Sequence, residues 1–204
     1  MDLRYLRHTP ELRDSDEGKT ISGYAAVFYR EGDEGSQFWL WDDKVERIDR
    51  EAFSRAIADE HDVRALFNHD SAHLLGRVKS GTLALSVDKT GLRYDIAVPD
   101  TRTGADVVEM IRRGDLDGSS FAFIPTRAEW ISEDGYEVRL IKDVDLIDVG
   151  PVTYPAYSST TTSVRAQDLD AIRAEYARWR GSDADLVRES QYRLVRSRNV
   201  RAGV

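Results

Sequence analysis

The chain has 204 residues, of which 41% are hydrophobic and 32% charged, enough for one domain with a packed core plus an appendage. It contains no cysteine, which excludes disulfides and thiolate metal sites and is compatible with a reducing compartment. The net charge of −8 is uneven: residues 164–204 hold nine arginines against six acids (+3), leaving 20 basic and 31 acidic residues in 1–163 (−11), too acidic a body for a general nucleic-acid binder.

The start, Met1-Asp-Leu-Arg-Tyr5, lacks an apolar signal segment, and no run approaches a membrane span, so a cytosolic-type protein without a membrane partner is expected. Along the chain, Ile21–Phe28 and Gln37–Trp41 read as strands rich in aromatic and aliphatic residues. Arg50–Ala58 follows as a helix with Ala52, Phe53, Ala56 and Ile57 on one face and Asp49 as its N-cap. Val63–Asn68 is a further strand. Gly76–Lys79, Thr82–Val87 and Leu92–Val98 form a meander whose tight turn is Asp88-Lys-Thr-Gly91. A second helix, Gly104–Arg113, gathers Val107, Val108 and Ile111 and stops at Gly114. The strands Ser120–Trp130 and Tyr136–Val149 come next, joined by the turn Ser132-Glu-Asp-Gly135. Short strands at this spacing point to a sandwich or barrel rather than an alternating α/β sheet.

Beyond the Ser/Thr-rich stretch 158–163 the character changes. Leu169, Ile172, Tyr176 and Trp179 fall on one helical stripe, Gly181-Ser182 breaks it, and Asp183–Arg198 offers a weaker helix. The expected division is a β-rich domain over 1–160 and a helical, arginine-rich appendage over 161–204. The stripe suits packing on the body, a partner or a second copy. Arg193, Arg196, Arg198 and Arg201 suit an acidic partner or a solvated terminus.

Without cysteine, the nucleophiles available are Ser, Thr, Lys and carboxylates. Of the four histidines, His8 lies in a polar stretch, His61 in a charged loop, and His69 ends an apolar strand. Alternation puts Val63, Ala65, Phe67 and His69 on one face, where a base at the rim of a core is held yet can reach a cleft; a structural histidine fits the same pattern. Ser120 follows the glycine-punctuated turn Gly114-Asp-Leu-Asp-Gly118. Phe121 and Phe123 point one way from it, with Ser119, while the small Ser120 and Ala122 point the other and leave room for a substrate. Taken alone, serine beside glycine is equally ordinary turn chemistry.

The segment Leu66-Phe-Asn-His-Asp70 with Leu75-Gly76-Arg77-Val78 resembles the histidine motif of tailed-phage prohead maturation proteases, and also that of the herpesvirus assemblins. Arg113-Gly-Asp-Leu-Asp-Gly-Ser-Ser-Phe-Ala-Phe123 resembles the phage family's serine motif, whose nucleophile immediately precedes the first Phe. Ile21-Ser-Gly-Tyr-Ala-Ala-Val-Phe28 and Val152-Thr-Tyr-Pro-Ala-Tyr157 extend the likeness over about residues 20–160. The resemblance implies a mainly β (α+β) fold: a compact closed or nearly closed β-barrel of assemblin-like type ringed by helices, with the C-terminal appendage outside it. It also implies a serine endopeptidase that cleaves scaffold protein, major capsid protein extensions and itself, inside the assembling prohead in the host cytoplasm.

On that reading Ser120 is the nucleophile and His69 the base that takes its proton and later protonates the leaving amine. A third group should orient the imidazole. Assemblins use a second histidine there, and this chain has none after His73. Asp148 is the expected third member. Alternation places it on the face of Val144 and Leu146, and the phage pattern commonly has Glu-Val-Ser where this chain has Asp148-Val149-Gly150. Asp117 is the runner-up through its nearness to Ser120, and a carboxylate merely pairing with arginine stays open. The sequence does not identify the oxyanion donors; the likeness to the assemblins implies the loop around Thr153–Ser158. No metal or cofactor is expected, and a homodimer is one assembly state left open. Two other readings compete: a non-catalytic capsid- or scaffold-associated protein that keeps the fold, and a metallohydrolase using His69, His73 and Asp70. Whether 158–204 is removed by processing is also open.

Overall fold

A computed structural model describes residues 1–16, 18–153 and 169–182. The chain divides into two compact units, Met1–Arg165 and Ala166–Val204. In the second unit the described helix runs over 169–182, continuing through Gly181 and Ser182. Within it Tyr176 and Trp179 lie 5.7 Å apart, and the Arg180 guanidinium sits over both rings. The segment 183–198 and the arginines within and beyond it lie outside the described residues.

Among the described residues, the first unit is mainly β, with two sheets and two α-helices, α1 (Ser54–Ala58) and α2 (Arg102–Arg113). One sheet holds β1 (Asp2–Leu6), β4 (Phe38–Trp41), β5 (Lys44–Ile48), β6 (Arg64–Leu66), β7 (Leu74–Arg77), β10 (Gly118–Glu133) and β11 (Tyr136–Val152). The other holds β2 (Glu11–Ser15), β3 (Gly18–Val27), β8 (Leu83–Val87) and β9 (Gly91–Ala97) in the order β2-β3-β9-β8. The core is the space between them. It is filled by Ile21, Leu92, Tyr94 and Ile96 from the four-stranded sheet, by Phe121, Phe123, Val144 and Val149 from the other, and by Phe53, Ala56, Val107 and Val108 from the helical segments.

The frame is the β10–β11 hairpin. Its strands close on the two-residue turn Asp134-Gly135, both at positive φ (53° and 81°), whose twist matches that of the flanking strands. β1 pairs antiparallel with the outer edge of β10, while β5 and β6 lie in succession along β11, both parallel to it. The strand path ends at β1 and β4 in one sheet and at β2 and β8 in the other. The expected closed or nearly closed barrel ringed by helices is therefore corrected to two open sheets, because backbone pairing does not join those terminal strands among the described residues.

Several expected elements shift for local reasons. The first helix is only Ser54–Ala58. Asp49 accepts a bond from the Glu51 N–H at 2.9 Å, but Phe53 occupies the N-cap and caps nothing with its side chain. α2 begins earlier than expected because the Thr101 hydroxyl caps the Gly104 N–H, and it ends at Gly114 in the left-handed conformation. The strand expected over 63–68 ends at Leu66, since Asn68 and His69 both have positive φ. β1, β2 and β5 were not foreseen. β2 is a polar edge strand, and β1 and β5 bury charged residues that hide the period of two.

Arg4, Glu46 and Arg139 form one buried network. The Arg4 guanidinium donates to both Glu46 carboxylate oxygens (2.5 and 2.9 Å), and Arg139 donates to the second at 2.8 Å. Arg4 and Glu46 have no exposed surface. Burial alone raises the Glu46 carboxyl, but the two guanidiniums outweigh it and hold it below the usual range. Glu46→Ala, which removes the carboxylate that both buried guanidiniums share, is expected to lower unfolding stability by about 3–5 kcal/mol in urea titrations at pH 7. The carboxyl's folded pKa lies below its unfolded one. Its contribution is thus fully present above the ordinary glutamate range of about 4.3 and fades as pH falls through the folded value, so the two proteins should converge in acid.

Candidate active site

β10 leaves Gly118 with its side chains sharply divided. Ser119 turns into the core, where its hydroxyl accepts from Tyr94 Oη at 2.8 Å and donates to the His8 carbonyl at 3.1 Å. Ser120 and Ala122 occupy the opposite face, facing Gly150 and Asp148 on β11.

Asp148 reaches that face through an irregularity. Ala122 pairs with Asp148 but Phe123 pairs with Leu146, so β11 carries one extra residue, Ile147. Strict alternation would place Asp148 with Val144 and Leu146. The bulge reverses the phase: Val149 joins those two in the core, and Asp148 turns to the side of Ser120. The structure brings Asp148 to the side of Ser120, and the face argument that selected it is corrected.

His69 is likewise not delivered by strand alternation. Past Leu66 the chain turns through two left-handed residues, Asn68 at φ 56° and His69 at φ 57°, and this turn carries the imidazole over Ser120. The turn lies close on β11: a Cβ on Gly150 would stand 2.1 Å from the Leu66 carbonyl oxygen, an approach only glycine permits.

These three side chains form one hydrogen-bonded chain. His69 Nε2 lies 2.6 Å from Ser120 Oγ, and His69 Nδ1 lies 2.5 Å from Asp148 Oδ1. The His69 and Asp148 side chains are only 8% and 5% exposed, and Ser120 has no exposed surface. With the carboxylate accepting from Nδ1–H, the Nε2 lone pair faces the serine hydroxyl, the tautomer a general base requires. A second acceptor stands beside the serine hydroxyl, the Arg4 carbonyl at 2.8 Å from Ser120 Oγ. The hydroxyl has one proton, so it donates its hydrogen bond to Arg4 O whenever Nε2 is itself protonated. Tyr5, paired with Ser120 across the β1–β10 ladder, sets its ring edge-on to the imidazole at 5.7 Å. Sequence reasoning missed this contribution of β1, because Arg4 and Tyr5 sit among charged residues with no apolar pattern.

The other candidates fall elsewhere. Asp117 faces Arg7 at 3.5 Å on the exposed surface. His73 turns to Asp70 at 3.1 Å, and both nitrogens of His69 are already engaged. Among the described residues no cluster of three or more His, Cys, Asp and Glu side chains is arranged to hold a metal. Residues 154–158 of the proposed oxyanion stretch lie outside the described residues, and the Thr153 N–H is committed to Asn68 Oδ1.

A sequence profile of the caudovirus prohead serine proteases matches residues 8–175. The chain belongs to that family. The prohead protease match takes in His69, Ser120 and Asp148, while β1 precedes it. Among solved structures, the bacteriophage T4 capsid assembly protease, gp21, superposes with a TM-score of 0.49 at 13% identity, covering 75% of this chain and 96% of that one. Comparison with curated proteins returns no match.

Replacing Asp148 by Asn puts an amide donor against Nδ1, reverses the imidazole tautomer and turns N–H toward Ser120. Asp148→Asn is expected to reduce kcat by about 10⁴-fold, the effect of a wrong tautomer in serine–histidine–aspartate sites. Asp117→Asn, at an exposed ion pair, should leave kcat unchanged, and assays of both purified variants on the same substrate check the contrast.

Proposed function

We infer that this prohead serine protease uses Ser120 as nucleophile, His69 as general base and acid, and Asp148 as the group that orients and charge-balances the imidazole. The observation that supports this assignment is the unbroken chain Ser120–His69–Asp148, with contacts of 2.6 and 2.5 Å. As Ser120 Oγ attacks the scissile carbonyl carbon, its proton passes to His69 Nε2 and the carbonyl electron pair moves onto oxygen. The tetrahedral adduct collapses, the C–N bond breaks, and the imidazolium gives its proton to the departing amine. Water then repeats the sequence against the acyl-enzyme, with His69 again as base. Throughout, the Asp148 carboxylate stabilises the imidazolium without taking its proton.

The substrates that fit the family are scaffold protein and extensions of the major capsid protein, together with the protease's own chain, cleaved inside the assembling prohead in the host cytoplasm. Among the described residues, no helix is long and apolar enough to cross a membrane.

Co-expression with the cognate scaffold and major capsid proteins tests this reading. The wild type should generate truncated products, and Ser120→Ala and His69→Ala should each lower their rate of formation by about 10³-fold or more. Addition of a chelator should change nothing, in contrast with a metallohydrolase. Identical products from all three proteins would overturn the assignment and favour a non-catalytic role in the capsid.

A further inference from the structure

The residue before the imidazole carries contacts that the proton relay itself does not require. Asn68 and His69 are consecutive non-glycine residues in the left-handed region, at φ 56° and 57°. Asparagine tolerates this backbone better than most residues, but a pair of such residues persists only where the surroundings hold it.

What holds it is local and directional. The Asn68 backbone N–H donates to the Pro151 carbonyl at 3.1 Å. Its side-chain Oδ1 accepts from the Thr153 N–H at 2.8 Å, and its Nδ2 donates to Thr153 Oγ1 at 2.8 Å. All three bonds end on residues 151–153, in the chain that has just delivered Asp148. The outgoing limb of the His69 turn is thus tied to the stretch that carries the carboxylate. The return limb is tied separately: Asp70 Oδ1 accepts from the Ala72 N–H at 2.8 Å, and Oδ2 meets His73 Nδ1 at 3.1 Å. The Ala72 bond first, and then His73, hold the Asp70 carboxyl below the usual carboxylate range against its slight desolvation. In Asn68-His69-Asp70 the flanking residues therefore pin the two sides of a turn whose centre bears the base.

We propose that Asn68 is a positioning residue for the catalytic reaction: its side-chain amide clamps the His69 turn to Thr153 and so sets the distances from the imidazole to Asp148 and Ser120. This rests on His69 acting as the base. An amide suits the post because it offers an acceptor to the Thr153 N–H and a donor to its hydroxyl at once. A carboxylate keeps the left-handed backbone and can accept from both Thr153 groups. Glycine keeps the backbone and loses the clamp.

The test uses the full-length protein, a peptide spanning a cleavage site mapped in the co-expression experiment, and the low-field Nδ1–H proton resonance of His69, assigned by its loss in His69→Ala. Asn68→Gly is expected to lower kcat by about ten- to a hundred-fold, the scale of a small misplacement of a reacting group, with KM within about two-fold and the resonance broadened or lost. Asn68→Asp should restore most of both readouts, and Thr153→Val should fall between. Wild-type kcat and a sharp resonance in Asn68→Gly overturn the proposal. So does an Asn68→Asp no better than Asn68→Gly, since that outcome means a general structural loss. Should Asn68→Gly not fold, Thr153→Val decides, and an unchanged kcat there counts against the clamp. Cleavage that survives in Ser120→Ala removes the underlying reading instead, whereas an inactive Ser120→Ala beside a fully active Asn68→Gly removes only the clamp.

Discussion

The antiparallel ladder between β10 and β11, with the single extra residue Ile147 in it, is the constraint on which the site depends. On the β10 side the phase is simple: Phe121 and Phe123 enter the core, and Ser120 and Ala122 face away. Without the extra residue, β11 would have to choose between burying Val144 and Leu146 and presenting Asp148 to the face of Ser120. The bulge allows both. Val144, Leu146 and Val149 all reach the core, while Asp148 comes out beside Ser120. The carboxylate is thereby held on rigid strand backbone, and only the imidazole arrives on a turn.

The turn in its place needs room and anchorage, and neighbouring strands supply both. Gly150 lets β6 come within contact of β11, which places the end of β6 over the serine. β1 closes the other side. Its Arg4 side chain is locked into Glu46 on β5, so the Arg4 carbonyl and the Tyr5 ring are fixed against Ser120 and His69 by an ion pair well away from the reacting atoms. Such a pair is costly to desolvate and contributes little net stability over an apolar replacement. Its value here is geometric, since it fixes where an edge strand sits.

What was legible in the sequence follows from which signals are local. The strands Ile21–Phe28 and Leu92–Val98, the cap at Gly114 and the turn after Asp88 each announce themselves through apolar runs or residues suited to special backbone angles. β1 and β5 do not, because Arg4, Glu46 and Arg47 are buried by pairing with residues far away in the chain, and alternation reads them as exposed. The first helix shortens for a similar reason. Phe53, which looked like part of an amphipathic stripe, is taken up by the core before the helix starts.

His69, Ser120 and Asp148 were accessible from the sequence as residues, through motif order and the kinds of neighbour each one has. Their geometry was not. A period-of-two argument assigned Ser119 and Ser120 to their faces, because β10 is regular there, and it misassigned Asp148, because a bulge does not show in composition. It also misplaced His69 by counting it as the end of a strand, since a left-handed turn carries the ring. By itself, then, the sequence determined the family, the mainly β character and the residue types available for chemistry, which are properties of local pattern. Only the tertiary structure decided the two open sheets, the contribution of β1 and the meeting of three side chains drawn from segments far apart in the chain. Those depend on long-range register, where one inserted residue or one distant ion pair changes which face a side chain occupies.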